Sequence, residues 1–152
     1  MSEYLPAIVV VEDDADQAAL LRRVLWRAQV VNPVHVATAA AEADELLATV
    51  ENNRDDPLAR PVLVLLDLHM RDWNGLSFLE RLRRAVDART VPVVVLSGSA
   101  QADDIDRAFE LGANSYLVKP VAFEALADTL ENLGLPKAIL PSTALPDRPA
   151  TE

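Results

Sequence analysis

Four groups of polar residues stand directly behind apolar runs in this chain of 152 residues, and together they offer a chemistry that none offers alone. Glu12-Asp13-Asp14 follows Ala7–Val11, and Asp67 follows Val62–Leu66. Ser97-Gly98-Ser99 follows Val91–Leu96, and Lys119-Pro120 follows Ser115–Val118. Carboxylates crowded into a partly dehydrated crevice repel one another, and one of them ordinarily has to protonate. A hard divalent cation removes that conflict, and Mg²⁺ takes one or two carboxylates plus a phosphate while keeping several waters. Asp67 is the sharper feature, because the end of a buried strand is a poor place for a solvated charge. A carboxylate can act as a covalent nucleophile toward phosphorus. Phosphoryl transfer then needs positioning and charge neutralisation, with a metal on one side and a cation on the other. Lys119 is the obvious cation: of 14 basic residues 12 are Arg, so this chain does not use Lys for routine surface charge. The Ser97 hydroxyl can bond a phosphoryl oxygen. Plainer roles compete for each residue taken singly. Asp14 or Asp16 can cap the first helix, Asp67 can cap another, and Tyr116 can simply pack. Those roles leave Lys119 unexplained. Lys119-Pro120 is also a candidate cis peptide, which would turn the chain sharply and aim the lysine inward.

The elements that must position these residues are legible in the hydrophobic pattern. The apolar runs are Ala7–Val11, Val34–Ala37, Val62–Leu66, Val91–Leu96 and Ser115–Val118. Three of them are nearly continuous, as expected of strands covered on both faces. Between them the apolar residues recur every three or four positions: Ala18, Leu21, Leu25 and Ala28, then Leu76, Leu79, Leu82 and Val86, then Ile105, Ala108 and Phe109, and finally Phe123, Leu126, Leu130 and Leu133. Ala39–Val50 is helical by propensity, with Leu46, Leu47 and Val50 as its inner face. Gly75, Gly98, Gly112 and Gly134 all fall at element boundaries, and Glu51–Arg60 reads as a loop. Strand and helix alternate five times, which predicts a parallel sheet with helices on both sides. In such a sheet the ligand crevice lies beyond the carboxyl ends of the strands, where the four polar groups stand.

Composition narrows the function. Twenty-four acidic against 14 basic residues give a net charge of −10, a field that repels nucleic-acid backbones and attracts cations and basic partners. With no cysteine, disulfides, thiolate catalysis and cysteine zinc sites are excluded. No apolar run approaches the roughly 18–20 residues of a membrane span. The acidic N-terminus does not resemble a secretory signal, so the expected setting is the cytoplasm. Four prolines in the 19 residues from Gly134 onward predict an extended tail, in which Ala138–Leu140 could dock on the body or on a second subunit.

With these residues in place the chain resembles the receiver domain of two-component response regulators over about residues 6–133. Val11-Glu12-Asp13 is similar to that family's acidic pair, and Asp67-Leu-His-Met70 through Asn74-Gly75 to its phosphoacceptor loop. Ser97, Tyr116 and Lys119-Pro120 stand at its remaining signature positions. The resemblance implies a flavodoxin-like (βα)5 three-layer sandwich of α/β class, with a five-stranded parallel sheet of order 2-1-3-4-5. It implies a receiver domain over residues 1–133 with a Pro-rich tail over 134–152, and phosphotransfer from a histidine kinase to Asp67. It further implies that Asp13 and Asp67 ligate Mg²⁺, Glu12 through water and His69 through its backbone carbonyl, and that Ser97 and Tyr116 form a switch pair. Arg71 and Asn74 depart from the family's usual Pro and Asp. His69 is an unusual side chain for its place, where either only its carbonyl matters or its imidazole tunes the phosphoryl lifetime.

On this reading the protein is a phosphoacceptor rather than an enzyme, a stand-alone receiver most similar to those paired with bacterial phytochrome kinases, and a homodimer. Ala102–Glu110, the fifth strand and Ala122–Leu133 form its expected partner-reading face. Three other readings remain. An aspartyl-nucleophile phosphatase usually carries a second Asp where His69 stands. A flavodoxin-type carrier would have its phosphate repelled by Glu12–Asp14. A phosphorylation-independent dimeric scaffold would not need the full set of polar residues.

Overall fold

The computed structural model describes residues 6–56, 60–71 and 73–133. Ten elements alternate along the chain: β1 (Ile8–Val11), α1 (Ala15–Arg27), β2 (Val34–Ala37), α2 (Ala40–Asn52), β3 (Leu63–Asp67), α3 (Gly75–Ala85), β4 (Val93–Ser97), α4 (Ala102–Glu110), β5 (Ser115–Val118) and α5 (Phe123–Asn132). The strands pair in parallel as one sheet of order β2-β1-β3-β4-β5. This is the expected α/β architecture. The Pro-rich tail, with Gly134 and Ala138–Leu140, lies outside the described residues.

The continuous apolar runs divide by residue parity, because successive side chains of a strand point to opposite faces. Val9, Val11, Val64, Leu66, Val93 and Val95 pack with Ala43, Leu47 and Val50 of α2, Phe78, Leu79 and Leu82 of α3, and Ala108 of α4. Ile8, Val10, Leu63, Leu65, Val94 and Leu96 pack on the other face with Leu21, Val24 and Leu25 of α1 and Leu126 and Leu130 of α5. Two-sided burial leaves no solvent face on β1, β3 and β4. That is why they show no alternation in sequence.

Several boundaries differ from the sequence expectation. β4 begins at Val93 rather than Val91, since Pro92 has no N–H to donate and Val91 bonds back to the Asp87 carbonyl in the preceding turn. Asp67 and Ser97 close β3 and β4, at the strand ends where the sequence places them. Helix α2 runs two residues into the expected loop, where the Asn53 amide donates to the Thr49 carbonyl. On α2 it is Ala43, not Leu46, that joins Leu47 and Val50 in full burial, and Leu46 packs half-buried at the margin. Asp14 caps α1 as expected, accepting from the backbone N–H groups of Asp16 and Gln17 at 2.8 and 3.2 Å. Asn74 caps α3 through the Ser77 N–H at 3.1 Å, the role its polar side chain suits.

Gly75 opens α3 against the end of β3. A Cβ there would stand 2.9 Å from the Leu68 Cα and 3.0 Å from the Trp73 indole nitrogen. Backbone cannot yield as a flexible side chain can, so Gly75→Ala is expected to lower stability by about 1–3 kcal/mol. Urea unfolding measures this, and an unchanged midpoint would refute the close approach.

Candidate functional site

The parallel sheet brings the carboxyl ends of β1, β3, β4 and β5 to one edge, and the polar residues expected there meet in one pocket. Glu12 follows β1, where its N–H bonds the Ala37 carbonyl, and is 2% exposed. Asp67 closes β3 and is 3% exposed. The Lys119 backbone is held at the end of β5 by its N–H bond to the Ser97 carbonyl at 2.8 Å, and the Lys119-Pro120 peptide is cis. From there the ammonium reaches Glu12 Oε1 at 3.1 Å and Asp67 Oδ2 at 3.3 Å. Glu12, Asp13 and Asp67 each present an oxygen within 4.8 Å of the others.

The electrostatics are those of a crowded, half-dry site. Burial pushes the Glu12 carboxyl above its ordinary value and the charge of Asp67 adds to the push, while Lys119 and the Asp14 N–H at 3.2 Å oppose it. Burial would pull Lys119 down, but the hydrogen bonds and charges of Glu12 and Asp67 outweigh it and hold the ammonium above the usual lysine value. One half-buried cation therefore shares the pocket with three carboxylates. An all-oxygen donor set with this excess of negative charge fits a hard divalent cation.

The loop after β3 is built around Asp67. Its Oδ1 accepts from the His69 N–H at 2.9 Å, and its carbonyl accepts from the Trp73 indole at 3.0 Å. Half-buried Asp13 accepts from the Arg71 N–H at 3.3 Å, tying the first acidic group to the same loop. The fully buried Ser97 is joined through its hydroxyl oxygen to His69 Nε2 at 2.9 Å and accepts from the Ser99 N–H at 3.1 Å. Tyr116 lies further out, donating to the Ser99 carbonyl at 2.9 Å, and so meets Ser97 only through Ser99. Glu12, Asp13, Asp67, His69, Ser97 and Lys119 thus meet at this sheet edge, and Tyr116 is joined to it through Ser99. The Trp73 bond, the side-chain bond of His69 and the Ser99–Asp104 pair at 2.5 Å were not anticipated. Their sequence signal was slight: a tryptophan in the loop after the candidate nucleophile, and a second serine two places after the first.

The family model for the response regulator receiver domain matches residues 8–131. FilR2, a probable methanogenesis regulatory protein of Methanothrix harundinacea, is 33% identical over 83% of this chain and 79% of its own length. The transcriptional regulatory protein PrrA of Mycobacterium tuberculosis is 37% identical over 84% of this chain, which spans about half of PrrA (49%). Among solved structures, the bacteriophytochrome response regulator RtBRR aligns with a TM-score of 0.74 at 34% identity, covering 90% of this chain and 82% of that one.

Removing Lys119 leaves buried Glu12 and Asp67 without their cation. Lys119→Met is therefore expected to cost about 3 kcal/mol near neutral pH in chelator-treated protein. The raised Glu12 value means that the folded protein holds that proton more tightly than the unfolded chain. The deficit accordingly shrinks as pH falls through the Glu12 titration. Thermal unfolding of both proteins across acid and neutral pH checks this; a deficit independent of pH would show that charge pairing is not its cause.

Proposed function

Because the chain belongs to the response regulator receiver domain family, we propose that it accepts a phosphoryl group on Asp67 from a histidine kinase and changes its partner binding in consequence. The supporting observation is that one pocket holds the buried Asp67 carboxylate, the Lys119 ammonium and the carboxylates of Glu12 and Asp13. Asp13, Asp67 and the His69 carbonyl would hold Mg²⁺, with Glu12 reached through water; when bound, the ion supplies neutralising charge for the phosphoryl oxygens. An Asp67 carboxylate oxygen bonds phosphorus as the phosphorus–nitrogen bond to the kinase histidine breaks, and the departing imidazole keeps the electron pair. Lys119 balances charge on one phosphoryl oxygen, and Ser97 donates its hydroxyl proton to another. Tyr116, on β5 beside α4, follows Ser97 as the outer half of the switch, and α4, β5 and α5 carry the altered face. The protein is thus a phosphoacceptor rather than a turnover enzyme.

The likeness to RtBRR supports a bacteriophytochrome kinase as the phosphoryl donor. The net charge of −10 disfavours a nucleic-acid partner for this domain. No helix among the described residues is long and apolar enough to cross a membrane, which is compatible with work in the cytoplasm. We further propose that residues 1–133 form the receiver unit, and that residues 134–152 clasp a second copy.

Incubation with Mg²⁺ and acetyl phosphate, followed by intact mass, is expected to show one added phosphoryl group on the native protein and none on Asp67→Asn. No gain on native protein would overturn the phosphoacceptor reading in favour of a scaffold. Continuous release of phosphate from small phosphate esters would instead favour a phosphatase. In size-exclusion chromatography the full chain is expected to elute as a dimer, and the chain ending at Leu133 at smaller size. Equal assembly states would refute the clasp.

A further inference from the structure

Resting on the phosphoacceptor reading, the geometry points to His69 as a latch on Ser97: its imidazole holds the one hydroxyl proton that an incoming phosphoryl group must take. His69 touches both halves of the site. Its backbone N–H donates to Asp67 Oδ1 at 2.9 Å, and its ring Nε2 lies 2.9 Å from Ser97 Oγ. A serine hydroxyl has one proton to donate and two lone pairs to accept with. Ser97 is fully buried, and among the described residues its Oγ meets the Ser99 N–H and His69 Nε2. The Ser99 N–H is a donor and fills a lone pair. The hydroxyl proton of a buried serine goes to an acceptor, and of these two contacts only Nε2 can be one. His69 therefore carries its own proton on Nδ1, and the Ser97 proton is committed to the imidazole.

A phosphoryl oxygen on Asp67 must compete for that same proton. The resting protein forfeits the Ser97–His69 hydrogen bond on loading, and the imidazole of the exposed residue His69 is released. Nothing covalent changes in this exchange. One acceptor replaces another on a single hydroxyl. His69 is thus a positioning residue, acting on the phosphoryl group through Ser97, and its hydrogen bond sets how readily the empty site fills.

The test uses beryllofluoride with excess Mg²⁺ as a noncovalent stand-in for the phosphoryl group, on the full chain. A neutral hydrogen bond is worth about a two- to tenfold change in equilibrium. His69→Ala is therefore expected to tighten the apparent Kd for beryllofluoride by about two- to tenfold. In a Ser97→Ala background the same change is expected to have less than about a twofold effect, because the shared hydrogen bond is already gone. The NMR resonance of His69 Nε2 should move on beryllofluoride binding in native protein and stay in place in Ser97→Ala. Weaker or unchanged binding by His69→Ala overturns the latch, as does an equal gain with Ser97 removed. Failure of native protein to bind beryllofluoride sinks the phosphoacceptor reading itself, whereas native binding with indifferent variants sinks the latch alone.

Discussion

The constraint on which this structure turns is the crowding of three carboxylates and one ammonium at the carboxyl edge of a parallel sheet. Adjacent strands of a sheet lie about 4.8 Å apart. In the order β2-β1-β3-β4-β5, a lysine at the end of β5 must reach past β4 to touch acids on β3 and β1. It succeeds because its backbone is pinned to the end of β4 through the Ser97 carbonyl. Strand order and side-chain length are tied together by one ion-pair geometry. Moving β5 to the far edge, beside β2, would separate Lys119 from Asp67.

That arrangement does not favour stability. Glu12 is held above its ordinary titration by burial and by its neighbour Asp67, and one ammonium cannot compensate three acids. The apolar sheet supplies the stability that the edge forgoes. Both faces of β1, β3 and β4 are sealed by helices, so the strained charges stand on a rigid base. Crowding like charges at a half-dry edge breaks a local rule that the apolar layers beneath it keep.

On the β4 side of the pocket a hydrogen-bonded chain continues outward. His69 meets Ser97, Ser97 accepts from the Ser99 N–H, and Ser99 meets both Asp104 on α4 and the Tyr116 hydroxyl on β5. The pocket is therefore joined through polar groups to the elements that carry the exposed side chains of Phe109 and Val118. A change in the partner of Ser97 acts at the inner end of this chain. The face proposed to meet partners lies at its outer end.

Much of this was written in residue types and their spacing. Continuous β-branched and Leu runs alternating with amphipathic stretches dictate a parallel sheet covered on both sides, since two-sided burial removes polar residues from a strand. The same alternation puts Glu12, Asp13, Asp67, Ser97 and Lys119 at strand ends, hence on one edge. Asp14, placed before an amphipathic run, could be read as a cap from the sequence alone. The exact strand starts could not, because Pro92 silences a donor only where a neighbouring strand needs one. Nor could the hydrogen bond between His69 and Ser97. These residues stand 28 positions apart in the chain, and periodicity within one element carries no information about a contact between a loop and the end of another strand. That contact, the Trp73 bond to the Asp67 carbonyl and the division of one ammonium between Glu12 and Asp67 were decided only by tertiary structure, which alone sets distances between residues that no local pattern links.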